Sequence, residues 1–403
     1  MLNEKPNAKL SINFDGEIAR KRRFTLDGDD ALELHLERTC ARIVSGIRGL
    51  VPRHKLEAVM LGGGYGRGEG GVLRDVRGDR PYNDLECYVV LKGNRHVNEL
   101  RFKRSLDVFG EILTHHADAE VEFRITSLAE LMSLPVTMFS YDLAAGHRLL
   151  WGHESGDLIA GWDFHRHPEC IPQEEATRLL MNRASGLLFA RNQLERRPLT
   201  PSAADFVRRN VAKAQLACGD ALLAAFGRYH WSCTERHRRL QELSQGRNSA
   251  WIDALLRHHG VGVRFKLNPN SGAVSRESLA ESLGEVTKLT LKCWLWLEAR
   301  RLGRPFANAR DYVDDLRDKC PHSNPLSNIL LNFRADGFRL RLKPSPWRHP
   351  RQRIFRALVL LLWVPGAIDD PFLKERIGIE LNAPVNVQSD WSSAFRRLWI
   401  RVR

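Results

Sequence analysis

The sequence has no CxxC pair, no apolar run of membrane-spanning length, and no internal repeat or low-complexity segment. Each absence excludes a class of protein. Seven cysteines are scattered from Cys40 to Cys320, which encodes neither a disulfide scaffold nor a zinc ribbon. Their odd number leaves at least one thiol outside any intrachain pairing. Scattered thiols suit a reducing compartment, so a cytoplasmic location is expected. The longest apolar run, Ala357 to Pro365, is about half the length a membrane helix needs and reads as a buried helix. The N-terminal MLNEKPNAKLSINFDGE has no apolar core of signal-peptide length. No membrane partner is expected. GxxxxGK[ST] is missing, as are HRD and DFG, which excludes P-loop and protein-kinase chemistry.

At 403 residues two or three domains are expected. Apolar residues at 43% and charged residues at 27% are the proportions of a folded, soluble chain rather than a disordered one. The net charge of +14 is uneven. Residues 1–150 carry 22 basic and 22 acidic residues, and residues 151–403 carry 40 and 26, so the second part holds the whole excess. A basic surface of this kind suits nucleic acid or a phosphorylated small molecule.

Residues 1–26 are polar and read as a loosely held arm. Asp29 and Asp30 can start a helix. Leu32, Leu36, Cys40, Ile43 and Ile47 then repeat at helical spacing. Strand patterns follow at Ala58–Leu61, Asp84–Leu91 and Ala119–Ile125, with a helix over Asn98–His116 and a capped start at Ser127 with Glu130. From Gln173 the pattern is helical: Gln173–Arg191, Ser202–Tyr229, Trp251–His259, Glu277–Arg301, Asn308–Asp318 and Arg351–Leu362. Strands early and helices late predict an α+β architecture. A small mixed-sheet domain is expected over 27–150 and a mostly α-helical one over 151–403, with a possible subdivision near 325–350.

The chemistry concentrates early. Asp84 and Glu86 lie two apart on a strand, so both side chains share one face. Two such carboxylates repel unless a cation lies between them, and magnesium accepts one or two carboxylates together with phosphate oxygens. Glu122 and Glu120 stand likewise on the third strand. Either supplies a third carboxylate, for a second metal ion or as a general base. Directly after the first strand comes Gly62-Gly63-Gly64-Tyr65-Gly66-Arg67-Gly68. Such a turn lets backbone N–H groups approach phosphates. Gly66-x-Gly68-x-x-Gly71 fits GxGxxG, but no apolar helix follows it, so the dinucleotide reading fails its context.

A strand, a Gly-Gly turn, Asp-x-Glu on a second strand and a third acidic strand together resemble the polymerase-β-like nucleotidyltransferase superfamily. The resemblance spans about residues 57–125, with glycine where many members have serine and a long spacer, Val72–Pro81, before Asp84. It implies that Gly63 and Gly64, with Arg67, hold a nucleoside triphosphate. It implies that Asp84, Glu86 and Glu122 are the catalytic and magnesium- or manganese-binding set. The expected reaction transfers a nucleoside monophosphate, AMP by preference, from ATP or another NTP to an acceptor hydroxyl with release of pyrophosphate. The acceptor is left open among small molecule, protein and RNA. Alternatives are an inactive nucleotide sensor or toxin–antitoxin partner on the same fold, and an RNA-binding protein acting through its basic half.

In the helical part Asn182, Arg183 and Lys213 interrupt apolar patterns. The run around Lys213 looks like the helix that follows the catalytic domain in some bacterial members, and a lysine there can reach the triphosphate as a point charge. His165, His167 and Cys170 lack a second ligand pair and read as an ordinary loop. Residues 331–403, net +8, interleave arginine with aromatics. That pattern fits single-stranded nucleic acid or an amphipathic helical end.

Overall fold

The computed structural model describes residues 23–152, 164–245, 249–269, 272, 274–336, 345–383 and 390–402. Helix α1 (Asp30–Leu50) starts where the Asp29 carboxylate accepts from the Leu32 N–H, and the expected stripe from Leu32 to Ile47 is buried. There follow β1 (Leu56–Leu61), the short α2 (Gly63–Arg67), β2 (Val72–Asp75), β3 (Gly78–Pro81), β4 (Leu85–Leu91), α3 (Arg95–Ala117), β5 (Val121–Thr126), α4 (Leu128–Ser133), α5 (Met138–Gly146) and β6 (Arg148–Gly152). Of the expected N-terminal arm, residues 23–26 are described. Here Phe24 is buried and its N–H donates to the Glu33 carboxylate.

Four strands form one mixed sheet in the order β5-β4-β1-β6. β4 and β5 are parallel, with α3 as the crossover a parallel pair requires. β1 runs antiparallel to β4 and β6. Alternation divides β4: Leu85, Cys87, Val89 and Leu91 enter a core with α1 and α3, while Tyr88 and Val90 join Leu131, Leu143 and Ala144 on the other face. The long spacer is a separate β2–β3 hairpin.

The helical part comprises α6 (Gln173–Glu195), α7 (Pro201–Ala225), α8 (Cys233–Ser244), α9 (Ala250–Leu267), α10 (Arg276–Leu302), α11 (Ala309–Asp314), α12 (Pro325–Asp336), α13 (Arg351–Trp363), α14 (Pro371–Leu381) and α15 (Trp391–Val402). The apolar run lies within α13 and its end, where residues Ala357–Trp363 are all buried. The helix expected to reach Asp318 stops at Asp314, because the Asp315 carboxylate turns to Arg317 and Lys319. Trp294 is core, closed in by Tyr312, Phe355 and Trp363. Of the aromatics in the basic C-terminal stretch, Phe355, Trp391 and Phe395 are buried and pack inward, whereas Trp347 is exposed and Trp399 half-buried. Phe338, another aromatic of that stretch, lies outside the described residues. No helix among the described residues is long and apolar enough to cross a membrane.

Candidate active site

Antiparallel pairing of β1 with β4 sets Leu61 opposite Cys87. The glycine turn at the end of β1 therefore meets Asp84 and Glu86 at the start of β4, and the Gly62 N–H donates to the Glu86 carbonyl at 2.8 Å. Gly63 sits at φ +62°, where a Cβ would lie 3.1 Å from the Glu86 Oε1. Glycine there supplies both the left-handed backbone and the room for the carboxylate. At Gly66 a Cβ would come within 2.1 Å of the Leu61 carbonyl oxygen.

Buried Tyr65 fixes the approach to Asp84. Its hydroxyl donates to the Gly71 carbonyl and accepts from the N–H groups of Tyr82 and Asn83. The Asn83 side-chain oxygen in turn accepts from the Gly71 N–H. The hairpin is thus stapled to the turn, which absorbs the long spacer without displacing the carboxylates.

A cavity of about 800 Å³ opens between this edge and the helices. Asp84, Glu86 and Glu120 line it from the sheet; Arg183, Arg209, Lys213 and Lys266, from α6, α7 and α9, line it from the helices, where Arg178, Arg236 and Arg351 and the carboxylates Glu175 and Asp220 also lie. Burial, and then the neighbouring Asp84 charge, raises the Glu86 carboxyl above its usual range, with Arg124 and Arg67 opposing. Enclosure lowers the Lys213 ammonium from its usual value, and Arg183 and Arg209 lower it further. The residue as a whole is nonetheless exposed. Burial likewise lowers Lys266.

Of the residues singled out in the sequence, Gly63, Arg67, Asp84, Glu86, Asn182, Arg183 and Lys213 line the cavity, whereas Gly64 does not. Register sets Glu122 opposite Glu86, with its carboxylate 3.4 Å from Arg124, while Glu120, the competing choice on the same strand side, lines the cavity. Among the described residues no three His, Cys, Asp or Glu side chains group closely enough to hold a metal ion. His165 contacts the Leu134 carbonyl, and His167 contacts Glu169. All seven cysteines are free.

Two features had no local signal in the sequence. The first is a chain of polar side chains along the cavity floor. Arg67 pairs with Asp142 at 2.8 Å, Tyr229 donates to Asp142, Arg236 donates to the Tyr229 hydroxyl, and Asp220 is ion-paired with Arg236 and hydrogen-bonded to His259 at 3.2 Å each. It joins residues 67, 142, 220, 229, 236 and 259, whose separations no helical or strand period contains.

The second is Glu69, 2% exposed. Its carboxylate accepts from Ser232 Oγ at 2.6 Å, the Cys233 N–H at 2.8 Å and Thr234 Oγ1 at 2.9 Å, capping α8 from the glycine turn. Burial pushes its pKa up, but Lys266 and these hydrogen bonds outweigh it and hold it down at about 2. An ordinary glutamate titrates at 4.5, so the folded value is the lower one. This stabilisation is full above pH 4.5 and is lost as pH falls towards 2. It amounts to about 3 kcal/mol. Glu69→Gln is expected to flatten that part of the acid-stability curve in urea titrations. Equal losses in both proteins between pH 5 and 2 would remove Glu69 from the account.

Comparison with protein-family models finds no match, and comparison with curated proteins finds none either.

Proposed function

We propose that this chain is a metal-dependent nucleotidyltransferase that moves a nucleoside monophosphate, AMP by preference, from a nucleoside triphosphate to an acceptor hydroxyl. The observation that carries this reading is one cavity that brings Asp84 and Glu86 at the sheet together with Arg183, Arg209, Lys213 and Lys266 among the cations of its helical lining. A triphosphate is a polyanion, and Arg183, Arg209, Lys213 and Lys266 match it in charge. Asp84 and Glu86 on the same face as the Gly63 turn offer hard oxygen ligands in the number that magnesium takes beside phosphate oxygens. When bound, magnesium or manganese would neutralise the triphosphate and stabilise the departing pyrophosphate.

The acceptor oxygen attacks the α-phosphorus, and the bond from that phosphorus to the α–β bridging oxygen breaks. The hydroxyl proton passes to a carboxylate at the sheet edge, for which Glu120 is the residue at hand. Most of the acceleration comes from positioning and charge stabilisation. Tyr65 and the hairpin keep Asp84 in place, while Arg67 is fixed by Asp142.

The test is mass spectrometry for adenylylated products after incubation with ATP, magnesium and cell extract, alongside a pyrophosphate assay. Products carrying AMP and metal-dependent pyrophosphate support transfer. Nucleotide binding by calorimetry with no turnover supports the sensor instead, and absence of any triphosphate binding sinks both. Lys213→Ala is expected to weaken triphosphate binding by about tenfold, the share of one charge-assisted contact. Unchanged affinity by calorimetry would place the triphosphate elsewhere.

A further inference from the structure

A second cavity of about 210 Å³ lies beside the first, and Arg178 and Arg351 line both. Deeper inside it the cations are already answered. Arg301 is held by Glu298 at 2.6 Å, and Lys319 by Asp315 at 2.8 Å, while Glu174 adds a negative charge. The junction differs. Among the described residues the Arg351 guanidinium makes no hydrogen bond and no ion pair, although its backbone N–H is bonded to His349. The charges that act on it are Arg178, which repels it, and Glu175, which is engaged with Arg178. Burial and that repulsion lower its pKa from the usual value, which is the condition an incoming anion relieves.

Helix geometry separates this place from the triphosphate cations. Arg183 follows Arg178 by five residues on α6, about 7.5 Å along the axis, and faces Lys213. The cavity therefore has two cationic stations, one opposite Asp84 and Glu86, the other at the junction.

We propose that the junction between Arg351 and Arg178 binds a phosphate or carboxylate group, and that this group belongs to a small-molecule acceptor. The binding stands on the junction's own geometry; the assignment to the acceptor rests on the nucleotidyl-transfer reading. A planar guanidinium suits bidentate recognition of either oxyanion. The small volume behind it fits a compact substituent rather than a polymer. Anchoring there would fix one end of the acceptor while its hydroxyl points along the cavity to the sheet edge, converting a bimolecular encounter into an oriented one.

Calorimetric titration of the whole protein with inorganic phosphate, and separately with acetate, tests the site. The protein is first saturated with α,β-methylene-ATP and magnesium so that the triphosphate station is filled. Saturable binding is expected, weakened about tenfold or more by Arg351→Gln and by Arg178→Gln, the loss of a charge-assisted contact. Lys213→Gln is expected to change it less than about twofold. Urea titration of each variant separates a lost contact from a lost fold, and Arg178 provides the second variant should Arg351→Gln fail to fold. No saturable binding, or equal affinity in wild type and both arginine variants, overturns the site. If the filled protein loses phosphate binding that the nucleotide-free protein shows, the station belongs to the nucleotide and the acceptor assignment falls. If the analogue itself does not bind, the nucleotidyl-transfer reading fails, and the nucleotide-free titration of the same variants still decides the anion site.

Discussion

Asp84→Ala and Glu86→Ala are each expected to reduce pyrophosphate release by about a thousandfold or more, with the fold intact. Both side chains line the cavity, and neither belongs to a core cluster. Asp84 lies just before β4, with Leu85 and not Asp84 entering the sheet core. The Glu86 backbone contact to Gly62 runs through its carbonyl and survives truncation of the side chain. Removing the Glu86 carboxylate also relieves the like-charge repulsion with Asp84. Folded stability is therefore expected to stay level or rise slightly. A large activity loss with unchanged urea midpoint is the signature of a group that acts on the substrate. Variants retaining more than about a tenth of the activity would remove Asp84 and Glu86 from the chemistry, because loss of even one well-placed electrostatic group costs more than that.

The second large effect is on the fold. Glu298→Ala is expected to destabilise the protein by about 3–5 kcal/mol. Glu298 is fully buried, and its carboxylate accepts from Thr177 at 2.9 Å, Tyr312 at 2.9 Å, and Arg301 at 2.8 and 2.6 Å. One side chain thus ties α6, α10 and α11. Alanine would leave the Arg301 guanidinium, 4% exposed, without its counter-charge and two hydroxyls without an acceptor. Urea unfolding at neutral pH measures the loss. A cost below about 1 kcal/mol would mean that water replaces the carboxylate, and that this network does not hold the three helices together.

Much of the architecture was legible in the sequence. The stripe of α1, the alternation of β4 and β5, and the long helices α6, α7, α10 and α13 follow from local period. Other elements had weaker local signals. α8 is rich in arginine and glutamate, and its apolar residues are too few to outweigh the charged face in a sequence pattern. α5 begins with a capping box closed by Thr137 and Ser140, a serine variant of the usual glutamate signature. β6 is five residues long and gains its identity only by pairing with β1.

The candidate site divides in the same way. Asp84 and Glu86 were legible because a period of two fixes a face within one strand, whatever surrounds it. The same rule could not choose between Glu120 and Glu122, which share a face by that period. In the structure Glu122 stands beside Arg124 and Glu120 lines the cavity, a difference that period alone does not contain. The opposing wall was still less visible. Arg183 and Lys213 stood out by interrupting apolar patterns, but Arg209 and Lys266 look like ordinary charges on amphipathic helices, and nothing in the spacing of the four says that three helices turn them toward one strand edge.

By itself, the sequence determined an α+β order, a glycine turn ahead of paired carboxylates, and a basic helical half, because these are set by composition and by neighbours a few residues apart. Only the tertiary structure decided which of those cations face the carboxylates, which carboxylate reaches the cavity, and that Arg351 meets Arg178 at its far end. Those relations join residues separated by as much as half the chain. They depend on how apolar faces pack, which no local period records.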